Sequence, residues 1–182
     1  FEQWQPKTAK ANTNGLRQAI ESVPGDMVVI KPTDQNGGHG IIIDDKAKVL
    51  SQIDSLEDRD WVVQQFVDSS RGINGLFKGT HDLRLYIING VCSLASVRQP
   101  KAGKLVANTS QGGSINFFAP SDIPKEPIAI AKKIDEFMAK FGNRYYSVDF
   151  ISDGDDWYIL EVNDRPGVPA QFQSPEVINF QK

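Results

Sequence analysis

The segments Val148-Asp149-Phe150-Ile151 and Leu160-Glu161-Val162-Asn163 hold the side chains best suited to chemistry in this 182-residue chain. Successive side chains of a strand point to opposite faces. Val148, Phe150, Leu160 and Val162 then share an apolar face, and Asp149, Glu161 and Asn163 share the other. With a turn centred near Asp155, Asp149 stands directly opposite Glu161, with Cβ atoms about 5 Å apart. Facing carboxylates repel unless a proton or a cation resolves them. Two carboxylates and an amide oxygen are hard donors of the kind Mg²⁺ or Mn²⁺ takes, and Mg²⁺ leaves its other positions to water and phosphate oxygens. A solvated acidic hairpin has the same composition, and a slip of one residue would undo the pairing. Removing either charge is expected to cost activity and spare the fold.

A second group suits phosphate. Lys31 ends the apolar run Met27–Ile30, and Gly37-Gly38-His39-Gly40 follows within one loop. Glycines let backbone N–H groups approach an anion, and a nearby Lys adds a point charge. No Gly-Lys-Ser/Thr follows, and the next segment reads as a strand, so neither a P-loop nor a dinucleotide fingerprint is present. A plain hairpin turn remains the alternative. Gln64-Gln65-Phe66-Val67 ends another strand, whose free backbone groups suit the edge of a base, and Asp68 or Ser70 suits a ribose hydroxyl. Asp82 and Arg84 share a strand face, and Arg98 ends the following strand. The two arginines form a fork for a phosphate or carboxylate, or else a surface Asp–Arg pair worth little. Asn108 and Gly112-Gly113 come next. His39 and His81 stand alone, and Cys92 reads as a core residue.

These residues need scaffolding, and the sequence predicts it. Thr13 or Asn14 caps a short helix reaching Ser22. Strands are predicted at Met27–Lys31, Ile41–Ile43, Trp61–Val67, Leu83–Ile88 and Val91–Val97, the last two joined by the hairpin signal Asn89-Gly90. Lys104–Asn108 reads as a further strand, and Tyr145–Ile151 with Trp157–Asn163 as the final hairpin. Helices are predicted over Lys46–Leu56 and Glu126–Phe141, the latter with Ile128, Ala131, Ile134, Phe137, Met138 and Phe141 inward. Arg71–Thr80, with three glycines, reads as a mobile loop. The whole is α+β with antiparallel sheets rather than a doubly wound parallel one.

Composition narrows the classes. Twenty basic and 23 acidic side chains give a net charge of −3, without the basic excess of a nucleic-acid binder. No apolar run approaches the roughly 20 residues of a membrane helix. One cysteine permits no intrachain disulfide, and the expected location is the cytoplasm.

Read in order, these segments resemble the ATP-grasp superfamily nearly end to end, especially the branch of prokaryotic glutathione synthetase and the ribosomal-protein glutamate ligases. Pro6-Lys7-Thr8 is similar to the start of that family's central domain. Val28–Pro32 with Gly37–Ile41 resembles its phosphate-binding lysine strand and flap, and Val63–Val67 its adenine hinge. Asp82-Leu83-Arg84, Arg98 and Asn108 resemble its catalytic run, and the acidic hairpin its two metal strands. The resemblance implies two lobes clasping ATP, residues 1–66 carrying the flap and 67–182 the catalytic and metal strands. Lys31, Gly37, Gly38, Gly40, Gln64, Gln65, Phe66, Val67 and Asp68 would bind the nucleotide, and Asp149, Glu161 and Asn163 the Mg²⁺ or Mn²⁺. Arg98, Arg84 and Asn108 would be catalytic. The implied reaction joins a small-molecule or peptide carboxylate to an amine, less often a thiol, through an acylphosphate. A non-catalytic ATP-binding module and a phosphotransferase are the alternatives, and self-association into a homo-oligomer stays open. Such proteins carry an α/β domain ahead of this core. The chain begins at Phe1 without it, so this core is expected to be part of a longer protein. The ending Asn163-Asp164-Arg165-Pro166-Gly167 departs from that of glutathione synthetase.

Overall fold

The computed structural model describes residues 1–35, 37–105, 107 and 112–167. Its order is β1 (Thr8–Asn12), α1 (Leu16–Ser22), β2 (Met27–Pro32), β3 (Ile42–Asp45), α2 (Lys46–Ser51), β4 (Asp60–Gln65), β5 (Asp82–Ile88), β6 (Val91–Gln99), β7 (Ser114–Phe118), α3 (Lys125–Met138), β8 (Tyr145–Ser152) and β9 (Trp157–Asn163). The strands form a four-stranded sheet, β1-β4-β2-β3, and a five-stranded sheet, β7-β6-β5-β8-β9. Every pairing is antiparallel, as the hairpin signals predict for an α+β chain.

Each sheet buries one face. Along β2, Val28, Ile30 and Pro32 are buried while Val29 and Lys31 are half-exposed. Val28 and Ile30 meet Leu16 and Ile20 of α1 and Val63 of β4 in one core. On the larger sheet Leu83, Leu85, Val97, Val148 and Phe150 pack against Ile130, Ala131 and Ile134 of α3. The opposite faces therefore keep Lys31 on one sheet and the Asp82, Arg84 and Asp149 set on the other.

Several expectations change. Neither Thr13 nor Asn14 caps α1: both lie in a 3-10 turn, Thr13–Gly15, capped by Asn12, whose Oδ1 accepts from Gly15 N at 3.0 Å, and Gly15 leads into α1 without a side-chain cap. α2 stops at Ser51, where the Ser51 hydroxyl bonds to Lys48 O (2.7 Å) and competes with the helical ladder. The outer strand of the larger sheet is Ser114–Phe118, beyond the second glycine loop; of the predicted strand Lys104–Asn108, Val106 and Asn108 lie outside the described residues. α3 ends at Met138, and Phe137 on it and Phe141 in the 3-10 turn Ala139–Phe141 that follows are 53% and 64% exposed, because the buried stripe runs through Pro127, Ile130, Ala131 and Ile134. Arg71–Thr80 is no free loop. Ile73 is buried in the main core, its N–H bonds to Phe77 O at 2.7 Å, and Arg71 bonds to Asp155 at 2.5 Å.

Candidate functional site

The unburied faces of the two sheets meet across a cavity of ≈ 660 Å³, within the range of ordinary ligand sites. Lys31 lines it from the small sheet and Arg84, Arg98, Asp149, Glu161 and Asn163 from the large one. Gly37 and Gly38 line it, as do Gln64, Gln65, Phe66 and Val67. Gly40 and Asp68 are not in its wall. Gly40 has φ +72°, and a Cβ there would come within 2.9 Å of Pro32, so this glycine serves the turn. Asp68 is exposed and turns its Oδ1 to Ser70 N at 2.9 Å.

The acidic hairpin brings Asp149 opposite Glu161 and Ser147 opposite Asn163. It reaches that register by a route that alternation does not reveal. Near the turn Ser152 pairs Trp157 and Phe150 pairs Ile159, and one extra residue, Leu160, bulges before Glu161. The bulge corrects the predicted apolar face. Ile159 takes the core position, Leu160 turns to the cavity, and Val162 is 44% exposed.

Asp149 is almost wholly buried. Arg84 grips it with Nε to Oδ1 and Nη2 to Oδ2, both 2.6 Å, and Arg98 Nη2 adds a third bond to Oδ2 at 2.6 Å. Arg98 also forks onto Asp82, Nε to Oδ1 at 2.6 Å and Nη2 to Oδ2 at 2.9 Å. Two arginines and two aspartates thus form one interlocked, charge-balanced set. The arginine fork read from the sequence exists, and its partners are these two carboxylates. Asp82 is no surface partner but a buried one. Removing Asp149 would leave two buried guanidinium groups under-compensated, so the expectation that the fold is indifferent to it does not hold.

Burial pushes the Asp82 carboxyl up to about 7 against the pull of Arg98. Burial would raise Asp149 too, but the Arg84 hydrogen bonds and the charges of both arginines reverse it and hold it below the usual carboxylate range. Glu161 is raised by burial and by Asp149 across the strand pair. Burial lowers Lys31, while Glu161 and Asp149 pull it back up. Burial pushes the Cys92 thiol up to about 11, which suits a core residue.

The donor set fits a hard divalent cation. A carboxylate offers about four lone-pair sites, and the arginines use three on Asp149, which leaves one. The Glu161 side chain is 58% exposed and lies 3.6 Å from Arg84 Nη2. Beside the larger effect of burial, the Asp149 charge raises Glu161, and a cation would relieve that part. Among the described residues no three His, Cys, Asp or Glu side chains gather into a metal cluster, so the set depends on the Asn163 amide as its third donor. Sequence reading missed Tyr86 and Ser69 in the cavity wall. Tyr86 continues the alternation Asp82, Arg84, Tyr86, which was signal enough; Ser69 gave none.

Two antiparallel sheets facing each other across a cavity, one with a lysine strand and one with an acidic hairpin, are the architecture of an ATP-grasp protein. The chain belongs to the RimK-like ATP-grasp domain family, whose model matches residues 5–180. It is 28% identical over 168 residues to a probable alpha-L-glutamate ligase of Hydrogenovibrio crunogenus, covering 90% of this chain and 51% of that protein. It is 30% identical over 152 residues to one of Legionella pneumophila, covering 82% and 46%. The chain spans about half the length of these curated relatives. Its fold is shared with D-cycloserine synthetase (TM-score 0.64, 15% identity, 97% of this chain and 62% of that one). It is also shared with the ATP-grasp ligase PsnB complexed with minimal precursor, Mg and ADP (TM-score 0.59, 17% identity, 92% and 46%). Among the described residues no helix is long and apolar enough to cross a membrane.

Proposed function

We propose that this chain is the ATP-binding core of an ADP-forming carboxylate–amine ligase. The observation that carries the reading is one cavity with the Lys31 ammonium on one wall and the facing Asp149–Glu161 pair on the other. The ligase names of the curated relatives support it. Residues 1–66 would form the small lobe and 67–182 the large one. The partners are a small-molecule or peptide carboxylate and an amine, with glutamate, named in the relatives, as the first candidate.

Phosphoryl transfer asks mainly for positioning and charge neutralisation. Gln65, Phe66 and Val67 would receive the adenine edge beside Gln64, whose Nε2 is held by Thr8 Oγ1 at 3.0 Å. Lys31 would neutralise phosphate charge from the small sheet, with Gly37 and Gly38 close enough for backbone contact. Asp149, Glu161 and Asn163 would hold Mg²⁺, which when bound spreads the phosphate charge. A substrate carboxylate would take the γ-phosphoryl as ADP leaves, and an amine would then displace phosphate from the acylphosphate. Arg98 and Arg84 present fixed positive charge beside this centre, an electrostatic role that needs no reorganisation. Asn108 has a catalytic part by resemblance. Arg71–Thr80 is anchored to the main core and to Asp155 and reaches the cavity only at Thr80, which leaves Gly37–Gly40 as the covering segment.

The test is hydroxylamine trapping with Mg·ATP and candidate carboxylates, followed by ADP release. A hydroxamate is expected, and Glu161→Gln should cut its rate about 100-fold or more. Tight ATP binding with no hydroxamate from any carboxylate would indicate a binding module. ADP release with a phosphorylated hydroxyl would indicate a phosphotransferase.

A further inference from the structure

His81 belongs to the cavity wall but has no task in the reaction above. Its side chain is buried. Its backbone N–H donates to Ser69 Oγ at 3.1 Å, and its Nδ1 lies 3.1 Å from both Ser69 O and Gly79 O. Carbonyl oxygens only accept, so Nδ1 carries the proton. A neutral ring protonated there has a lone pair on Nε2. Burial, which lowers the imidazole pKa against the pull of the two carbonyls, agrees with the neutral form.

That Nε2 is buried and has no hydrogen-bond partner among the described residues. Four other buried side-chain atoms share this condition, on Arg59, Trp61, Ser96 and Ser147. None of those residues lines the cavity; His81 does. An acceptor in that position is matched by a donor on whatever the cavity holds.

The position selects the donor. Ser69, which holds His81 by two hydrogen bonds, lies two residues beyond Val67. Asp82, the next residue, opens the arginine–aspartate set. His81 therefore stands between the segment assigned to the base and the charged groups assigned to phosphate chemistry. The group that links base to phosphates is the sugar, and its hydroxyls donate. We infer that His81 Nε2 accepts a hydrogen bond from a ribose hydroxyl, making His81 a positioning residue that selects ribonucleotide over deoxynucleotide. The inference rests on the nucleotide reading above.

Calorimetry of the full chain with Mg²⁺ and ATP, 2′-deoxy-ATP or 3′-deoxy-ATP tests it. The unaltered chain should bind one of the two deoxynucleotides about tenfold more weakly than ATP, the usual scale of one lost hydrogen bond. His81→Ala should bind all three within about twofold of one another. His81→Gln, whose amide oxygen can stand near the Nε2 position, should recover part of the preference. A purely structural His81 would move all affinities together and leave the preference intact, which would overturn the inference. Equal binding of all three nucleotides by the unaltered chain would overturn it without any variant, so a His81→Ala that fails to fold does not shield it. Failure of the unaltered chain to bind any adenine nucleotide would bring down the nucleotide reading, and this inference with it.

Discussion

On the four-stranded sheet, Lys31 brings a positive charge to the cavity with no ion pair to any described carboxylate, held only by the more distant pull of Glu161 and Asp149. On the five-stranded sheet, Arg84 and Arg98 are each locked to carboxylates at 2.6 Å. The same cavity thus has a cation that burial opposes and a cation network in which carboxylate partners outweigh burial. Buried charge that is fully hydrogen-bonded holds a fold together once it is there, because losing one partner strands the other. Charge that burial disfavours adds little to the fold and is free to act on a ligand. The large sheet therefore combines structural and chemical roles in the same residues, while the small sheet separates them.

The largest effect should come from Asp149→Asn. It leaves two buried guanidinium groups facing a neutral amide and should cost about 3 kcal/mol or more of stability, read as a lowered urea midpoint. Glu161→Gln, at an exposed carboxylate, should stay within about 0.5 kcal/mol. If Asp149→Asn unfolds at the unaltered midpoint, the network is not structural and the contrast between the sheets fails.

Lys31→Met should act in the opposite sense. Stability should hold or rise, on the order of 1 kcal/mol, while ATP affinity falls about 10- to 100-fold, the scale of a lost charge-assisted hydrogen bond. Unchanged affinity in calorimetry would remove Lys31 from the site. A clear loss of stability would make it a structural residue like the arginines.

A further effect is on pH dependence. Asp82 rises from the ordinary 3.8 to about 7 in the folded chain. Between those values the folded state holds the proton more tightly than the unfolded state, so this carboxyl's contribution to stability falls as pH rises through the window and levels off above it. Asp149 is shifted downward, and its contribution is lost only as pH falls below the ordinary carboxylate range. Urea midpoints measured from pH 4 to 8 should show the Asp82 slope, and Asp82→Asn should flatten it. An identical slope in the variant would assign the titration elsewhere.

Much of this was legible beforehand. Lys31 on the cavity side of β2 follows from the alternation Val28, Ile30, Pro32 inward. The Asp149–Glu161 pair is the one a turn centred near Asp155 predicts, although the chain reaches it through the Leu160 bulge. Other parts carried no readable sign. The edge strand Ser114–Phe118 has a weak pattern of partial exposure, and Phe137 and Phe141 continue an apolar stripe past the point where α3 still has a core to meet.

Two bulges mark the boundary between sequence and tertiary structure. From the Asn89-Gly90 turn, Ile88 pairs Val91 and Ile87 pairs Cys92; the extra residue Ser93 then shifts the ladder so that Arg98 faces Asp82 rather than His81. From the acidic turn, Leu160 does the same, so that Asp149 faces Glu161 rather than Leu160. The sequence by itself determined which side chains carry charge, which faces alternate, and where the turns fall, because those depend on residue type and a two-residue period. It also determined the family, because the order of the segments is specific. Only the tertiary structure decided which charge meets which, because a bulge of one residue leaves composition unchanged and reassigns every pair beyond it.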